Sequence, residues 1–459
     1  MPDGDERTRL TRRQLIKRGK AVRKQVGRRS HSACPVGAER DDPVEILARQ
    51  DAERVPELLE LRRSRMSVSP FTFLRGSAAV MASDLSRVPA TPIYTQLCGD
   101  AHLLNIEIFA SPERRLVCDI TDFDETIRGP FEWDLKRMTT SLVVAARHRG
   151  FRREAADEAV YACLASYRAT MREHRDADVL DVHYSSISER DVLTLLETRK
   201  DGGSEGKGLL DTAEDVFARA RRRTSKRAAQ RLTELVDGKL RMREDPPVLS
   251  HKVLPDDREA LAASFLDSYK ASLPTHRRDL LERFEVVDVA RRVVGVGSVG
   301  TRCYVILLHG RDQDDPLVLQ VKEAGPSVLE PYVAEKAPRP HGRRVVEGQR
   351  TMQTVSDIFL GWLQAAGPDG VERDFYLRQF RDMKGSVDIE TLDPSGLVTY
   401  ARLCGHLLAN AHARGGEPAE IAGYLGKSDG FIEALTGFAH AYADLTEQDH
   451  GRLRSKSPG

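Results

Sequence analysis

The residues best suited to chemistry in this chain are acidic and closely spaced: Asp100, then Asn105, then Asp122 and Asp124 with Phe123 between them. A carboxylate can orient an attacking hydroxyl, and Asn and Asp oxygens can hold magnesium on phosphate groups. The run Leu97-Cys98-Gly99-Asp100-Ala101-His102-Leu103-Leu104-Asn105 supplies both in one loop, and a hairpin after it returns Asp122 to the same place. Singly, Asp and Asn at strand ends are ordinary turn residues. Together and in this order they read as a phosphoryl-transfer site, with Asp100 catalytic and Asn105 and Asp122 on the metal. His102 reads as a metal or phosphate contact or as a structural loop histidine, and Asp124 and Glu125 as ligands of a second metal or as surface. A metal-dependent hydrolase built on Asp100, His102, Asp122 and Asp124 is the rival reading of the same residues.

A second motif lies far along the chain. Val294-Gly295-Val296-Gly297-Ser298-Val299-Gly300 contains G-x-G-x-x-G. In a dinucleotide-binding fold such a run opens a helix, but here it leads into the β-type sequence Cys303-Tyr304-Val305-Ile306-Leu307-Leu308. Strand, glycine loop and strand is the arrangement that covers ATP phosphates in kinases. Gly295, Gly297, Ser298 and Gly300 are therefore expected at the phosphates. Lys322, which ends the next apolar run, would neutralise phosphate charge; an exposed strand-end lysine is the plainer alternative.

Several elements must position these groups. Ser69 and Pro70 look like a cap and first turn opening a helix through Phe73, Val80, Met81 and Leu85. A strand over 93–97 leads into the acidic loop, and runs 105–109 and 115–120 read as a hairpin around Ser111-Pro112. From Trp133 to about His174 the spacing is helical. Charge-rich residues 199–245, with Arg219, Arg221, Arg222 and Arg223, read as exposed helices of an insertion. Strands are expected over 291–296, 303–308 and 317–321, a helix over 344–355, a hairpin pairing 359–363 with 375–380, and helices from about Leu397.

Composition narrows the function classes. With 71 basic and 70 acidic residues among 459, the net charge of +1 gives no global pull toward nucleic acid or an anionic membrane. No run of about 18 apolar residues could span a bilayer, and the N-terminus lacks the apolar stretch of a secretory signal. The six cysteines form no C-x-x-C pair, so a zinc site or disulfide framework is not expected and a reducing cytoplasm fits. Residues 1 to about 45 are basic and read as a solvated arm or surface helix, with nucleic acid or another partner as the lesser alternative.

The acidic segment resembles the aminoglycoside phosphotransferase branch of the protein-kinase-like superfamily. The likeness extends through Gly129-Pro130-Phe131-Glu132-Trp133-Asp134-Leu135, and implies that Asp134 supports the catalytic loop from a helix. It departs at Cys98, where that family usually has histidine. The resemblance also implies an acidic partner for Lys322 on the following helix, Glu347 or the nearer Glu330, and a hinge strand at Phe375–Phe380. Because the catalytic segment precedes the glycine loop, it implies an α+β, two-lobed, circularly permuted kinase-like fold. Its parts would be a basic arm and lead-in helix (1–60), the catalytic part of the large lobe (61–180), a helical insertion (181–280), a small nucleotide-gripping lobe (281–384) and terminal helices completing the large lobe (385–459). The implied cofactors are ATP and magnesium, and the partners a nucleotide and an unidentified small-molecule or protein acceptor; a non-catalytic nucleotide-binding regulator is the alternative. Over most of its length the chain also resembles an uncharacterised bacterial family catalogued as domain of unknown function 2252, through 69–75, 98–134, 344–362 and 375–386.

Overall fold

Short apolar runs separated by polar turns make antiparallel sheets, and longer amphipathic segments make the helices that cover them, so the architecture is α+β. The computed structural model describes residues 10–456 apart from 36, 38, 39, 198–203, 253 and 381. Among these, no helix is long and apolar enough to cross a membrane.

One sheet carries the glycine loop. Its strands lie in the order Gly361–Ala366, Glu372–Gln379, Pro316–Glu323, Cys303–His309, Glu285–Arg292 and Leu249–Ser250, each antiparallel to its neighbour. The expected strand over 291–296 stops at Arg292, and the glycine-rich residues after it form a loop. Helix Arg258–Lys270 covers one face, burying Phe265 and Tyr269 against Tyr304, Leu319 and Phe375. Helix His341–Met352 lies against the two strands at the sheet's edge.

The acidic loop belongs to a second body. Strands Ile106–Ala110 and Leu116–Ile120 pair as expected, with Ile106 opposite Ile120, and the chain returning from the first sheet adds Gly385–Ser386 beside them. The helical run expected from Trp133 to His174 is two helices, Glu132–His148 and Arg153–Asp176, broken at Gly150 with its φ of 67°. The helix expected through Leu85 likewise divides, into Pro70–Gly76 and Ala78–Leu85, at the Gly76-Ser77 pair. Helices Pro394–Gly415 and Gly430–Ser455 pack beside these, so both ends of the chain build one apolar core running from Val22 and Phe71 to Ala443.

Of the readings of the two charged segments, one needs correction. Residues 199–203 of the expected insertion lie outside the described residues; beyond them, helices Ser204–Arg222 and Ser225–Leu232 give way to a β-hairpin, Thr233–Val236 with Lys239–Met242. Its turn is Asp237-Gly238, both at positive φ, the combination that a two-residue hairpin turn favours. The basic segment, read as a solvated arm or surface helix, is a surface helix docked along one side, although its first nine residues lie outside the described set. Thr11 caps helix Arg12–Val22, which packs on helix Pro418–Leu425. Arg23 and Arg28 donate to the Tyr424 and Leu425 carbonyls at that helix's end, at 2.8 and 2.6 Å. Cations there satisfy free carbonyls and complement the helix dipole.

Arg40 carries this docking into the interior, pairing with Asp84 at 2.8 Å and Asp449 at 2.6 Å, all three side chains buried. Arg40→Ala strands two buried carboxylates and should destabilise the protein by about 3–5 kcal/mol. Equilibrium denaturant unfolding checks this, and an unchanged midpoint would contradict the assignment.

Candidate active site

Strand Tyr94–Leu97 ends at the start of the acidic loop, and helix Glu132–His148 fixes that loop from below. Asp134, in the helix's first turn, accepts the backbone N–H groups of Cys98 at 2.8 Å and Gly99 at 3.1 Å. His412 reaches Asp134 at 3.2 Å through Nε2, while its Nδ1 lies 2.9 Å from the Tyr167 hydroxyl. The loop is thus held through Asp134, with a histidine arriving from a distant helix. The Cys98 side chain is buried, and burial, then Asp134 and Asp100, push its thiol well above the ordinary range. The Asn105 amide donates to the Asp100 carbonyl at 2.8 Å, which closes the loop.

Asp100 points one carboxylate oxygen at Arg137, 2.8 Å away, and the other toward His102, 3.9 Å away. Burial pushes His102 down to about 4 against the opposing pull of Asp100, so the ring is neutral near pH 7. Asp122 accepts from the Asp124 N–H at 3.3 Å, turning the hairpin's return toward the sheet.

The two motifs meet at Asp124. Lys322 is opposite Tyr376 in the sheet register, and both side chains reach the Asp124 carboxylate: Lys322 as an ion pair, and the Tyr376 hydroxyl at 2.8 Å. Lys322 also donates to the Ser298 hydroxyl of the glycine loop at 2.9 Å. Burial alone would lower the ammonium's pKa, but Asp124, Tyr376 and Asp122 overcome it and hold it above its ordinary range. Lys322 is therefore a buried, charged lysine rather than an exposed strand end.

Neither glutamate proposed for Lys322 reaches it. Glu347 is on the outer side of its helix, paired with Arg343 at 2.7 Å, and Glu330 pairs with Arg339 at 2.7 Å. The helix contributes Arg344 instead, buried and donating to the carbonyls of Thr126 (2.6 Å), Asp124 (2.7 Å) and Gly325 (2.9 Å). A cation anchors the acidic loop, and the loop supplies the carboxylate. Burial pushes neighbouring Glu125 up to about 7 despite the Val328 N–H and Arg344.

Two cavities adjoin this cluster. One of ≈ 540 Å³ lies between Gly295, Ser298, Lys322, Arg378–Phe380 and the Phe109–Arg114 turn. The other, ≈ 220 Å³, holds Asp100, His102, Asn105 and Asp124. Asp122, Arg75, Gly295 and Ser298 line both.

A segment that sequence reasoning left out fastens the glycine loop to the large body. Arg65 donates to the Gly295 carbonyl at 2.7 Å, Arg54 to that of Val299, and the Val55 N–H to that of Gly300 at 2.8 Å. A Cβ on Gly297 would stand 2.9 Å from the Arg75 carbonyl oxygen, so the loop's middle glycine permits close seating. Arg137 was legible in principle, because it stands three residues after Asp134 on one helix face. Arg344 carries no local signal that separates it from a surface arginine.

Hard-cation ligands fit this site. The Asn105 side-chain oxygen has no hydrogen bond among the described residues, and Asp122 keeps one carboxylate oxygen uncommitted. No group of three or more His, Cys, Asp or Glu among the described residues could hold a metal, so phosphate and water oxygens would have to complete a shell, as magnesium commonly requires. Asp134→Ala leaves the Cys98 and Gly99 N–H groups without their acceptor and should cost about 2–4 kcal/mol, with Asp134→Asn milder; thermal and denaturant unfolding measure both, and equal stability of all three proteins would contradict the loop-support role.

No curated protein and no solved structure matches the chain. A family model does match, over residues 54–456, which takes in the loop-fastening segment, the acidic loop, the glycine loop and the terminal helices. The chain belongs to the family described as uncharacterized protein conserved in bacteria (DUF2252).

Proposed function

We propose that this protein is a cytoplasmic magnesium- and ATP-dependent phosphotransferase acting on a hydroxyl group, with a kinase-like two-lobed fold in circularly permuted order. The observation that carries the reading is the cluster of Lys322, Ser298 and Asp124, which joins the glycine loop, the central strand and the acidic loop beside two cavities. A solvated glycine turn or a structural strand-end lysine has no need of that convergence. The larger cavity suits a nucleotide, since it runs from the glycine loop to the strand end at Gln379 and Phe380. The smaller suits the acceptor, since it contains Asp100.

In this reading the acceptor hydroxyl oxygen forms a bond to the terminal phosphorus as the bond to the bridging oxygen breaks and ADP leaves. The hydroxyl proton passes to Asp100, whose second carboxylate oxygen makes no hydrogen bond among the described residues. Arg137 fixes the carboxylate's orientation. Lys322 and the glycine loop hold the phosphates, the lysine exchanging Asp124 for phosphate oxygens. Asn105 and Asp122 would hold magnesium, which when bound spreads charge over the phosphate oxygens. The hydrolase alternative gains nothing from the geometry, because it gives no role to Lys322 or the glycine loop.

Isothermal titration with ATP, with and without magnesium, followed by phosphotransfer assays on hydroxyl acceptors, tests the reading. Asp122→Ala should weaken magnesium-dependent ATP binding by about tenfold or more, the loss of one charge-assisted contact. Asp100→Asn should abolish transfer while leaving that binding within a few-fold. Equal effects on binding would contradict this division of roles, and ATP binding without transfer to any acceptor would favour a non-catalytic nucleotide-binding regulator.

A further inference from the structure

Of the cationic side chains around the cluster and its two cavities, most are visibly committed within the protein: Arg114 pairs with Asp382, Lys384 with Glu107, and Arg292 stacks on Phe380. Arg54 donates to the Val299 carbonyl, Arg137 to Asp100, Lys322 to Ser298 and Asp124, Arg344 to the Thr126 carbonyl and Arg378 to Gln320. Among the described residues, the Arg75 side chain has no hydrogen bond and no ion pair, and its Nε is buried without a partner. It lines both cavities, with Asp100 and Asp122 acting on it electrostatically.

The fold fixes where Arg75 stands. Its helix stops at the following Gly76-Ser77, and the carbonyls freed on either side are taken by buried arginines: Leu74 by Arg137 at 2.5 Å and Gly76 by Arg62 at 3.2 Å. Its own carbonyl meets Gly297. A guanidinium stays charged at any physiological pH, and holding one largely out of water with no partner is unfavourable unless an anion arrives. Its planar fork matches a pair of phosphate oxygens.

We propose that Arg75 grips the terminal phosphoryl group of the nucleotide from the large-lobe side, as Lys322 does from the sheet. The proposal rests on the phosphotransferase reading and adds a specific contact to it: the group bound at Arg75 is the one present in ATP and missing from ADP. The wild-type protein should therefore bind the non-hydrolysable triphosphate AMP-PNP with magnesium more tightly than ADP. Arg75 makes no hydrogen bond that truncation would break, so Arg75→Ala should fold normally by circular dichroism and thermal unfolding.

Titration calorimetry of wild type, Arg75→Ala and Arg75→Lys with both nucleotides tests this. Arg75→Ala should lose about ten- to a hundredfold of the AMP-PNP affinity while ADP affinity holds, and Arg75→Lys, which keeps the charge without the fork, should lose less. A folded Arg75→Ala protein with the wild-type ratio of the two affinities overturns the Arg75 contact and leaves the nucleotide reading standing. Absence of binding by the wild type to either nucleotide overturns both.

Discussion

The arrangement of the two bodies depends on one buried ammonium. Lys322 lies in the middle of a sheet whose neighbouring side chains, Val321 and Cys303 among them, are fully buried. An ammonium there is tolerable only beside an anion, and its own sheet does not provide the partner. Asp124 provides it from the other body, with Tyr376 and Ser298 satisfying the remaining geometry. The pair therefore fixes the distance between the acidic loop and the glycine loop. Were a phosphate to take the lysine from Asp124, that carboxylate would keep only the neutral Tyr376 and Ser298 hydroxyls and would need a cation of its own.

The same logic explains the use of arginine in the interior. Arg344 binds three loop carbonyls, Arg414 binds the carbonyls of Met352 and Ser185, and Arg62 binds Gly76 and Asp51. Irregular backbone around a cleft has carbonyls that no helix or sheet satisfies. A long, multivalent donor can reach several at once, so loops are fixed here without regular structure.

What was legible in the sequence follows from this division. The 106–120 hairpin, the glycine loop, and Asp100 with Asn105 are local: the residues that define them lie within a few positions of one another, and turn chemistry and strand alternation report on them directly. Asp134 was legible through resemblance, and its bonds to Cys98 and Gly99 match the support role. The partners of arginine were not legible. Arg40 pairs with residues 44 and 409 positions away, and nothing in a basic run distinguishes a cation that caps a helix from one that faces water. The charge-rich stretch after residue 203 was misread for the same reason: its charges concealed the Asp237-Gly238 turn and the flanking alternation. Glu347 was selected by position on a helix; the actual carboxylate came from the loop because Arg344 had drawn that loop against the helix.

The fastening of the glycine loop constrains how a ligand could enter. Arg65, Arg54 and Val55 hold the Gly295, Val299 and Gly300 carbonyls to the large body, and Gly297 is seated on Arg75. Lifting the loop on that side would break these bonds together, two of them from charged donors. The opposite wall of the larger cavity is made by the Phe109–Arg114 turn with Gln379, Phe380, Asp382 and Lys384, and the chain then pairs with the acidic hairpin at Gly385–Ser386. That wall is tied as well: Arg114 pairs with Asp382 and reaches the Met383 sulfur, the Ala110 N–H donates to the Asp382 carbonyl at 3.3 Å, and Lys384 pairs with Glu107. Both walls of the larger cavity are therefore held by backbone and charged side-chain bonds together, the glycine loop by Arg54, Arg65 and Val55 and the hairpin turn by Asp382 and Lys384, so access to the cavity is constrained from both sides.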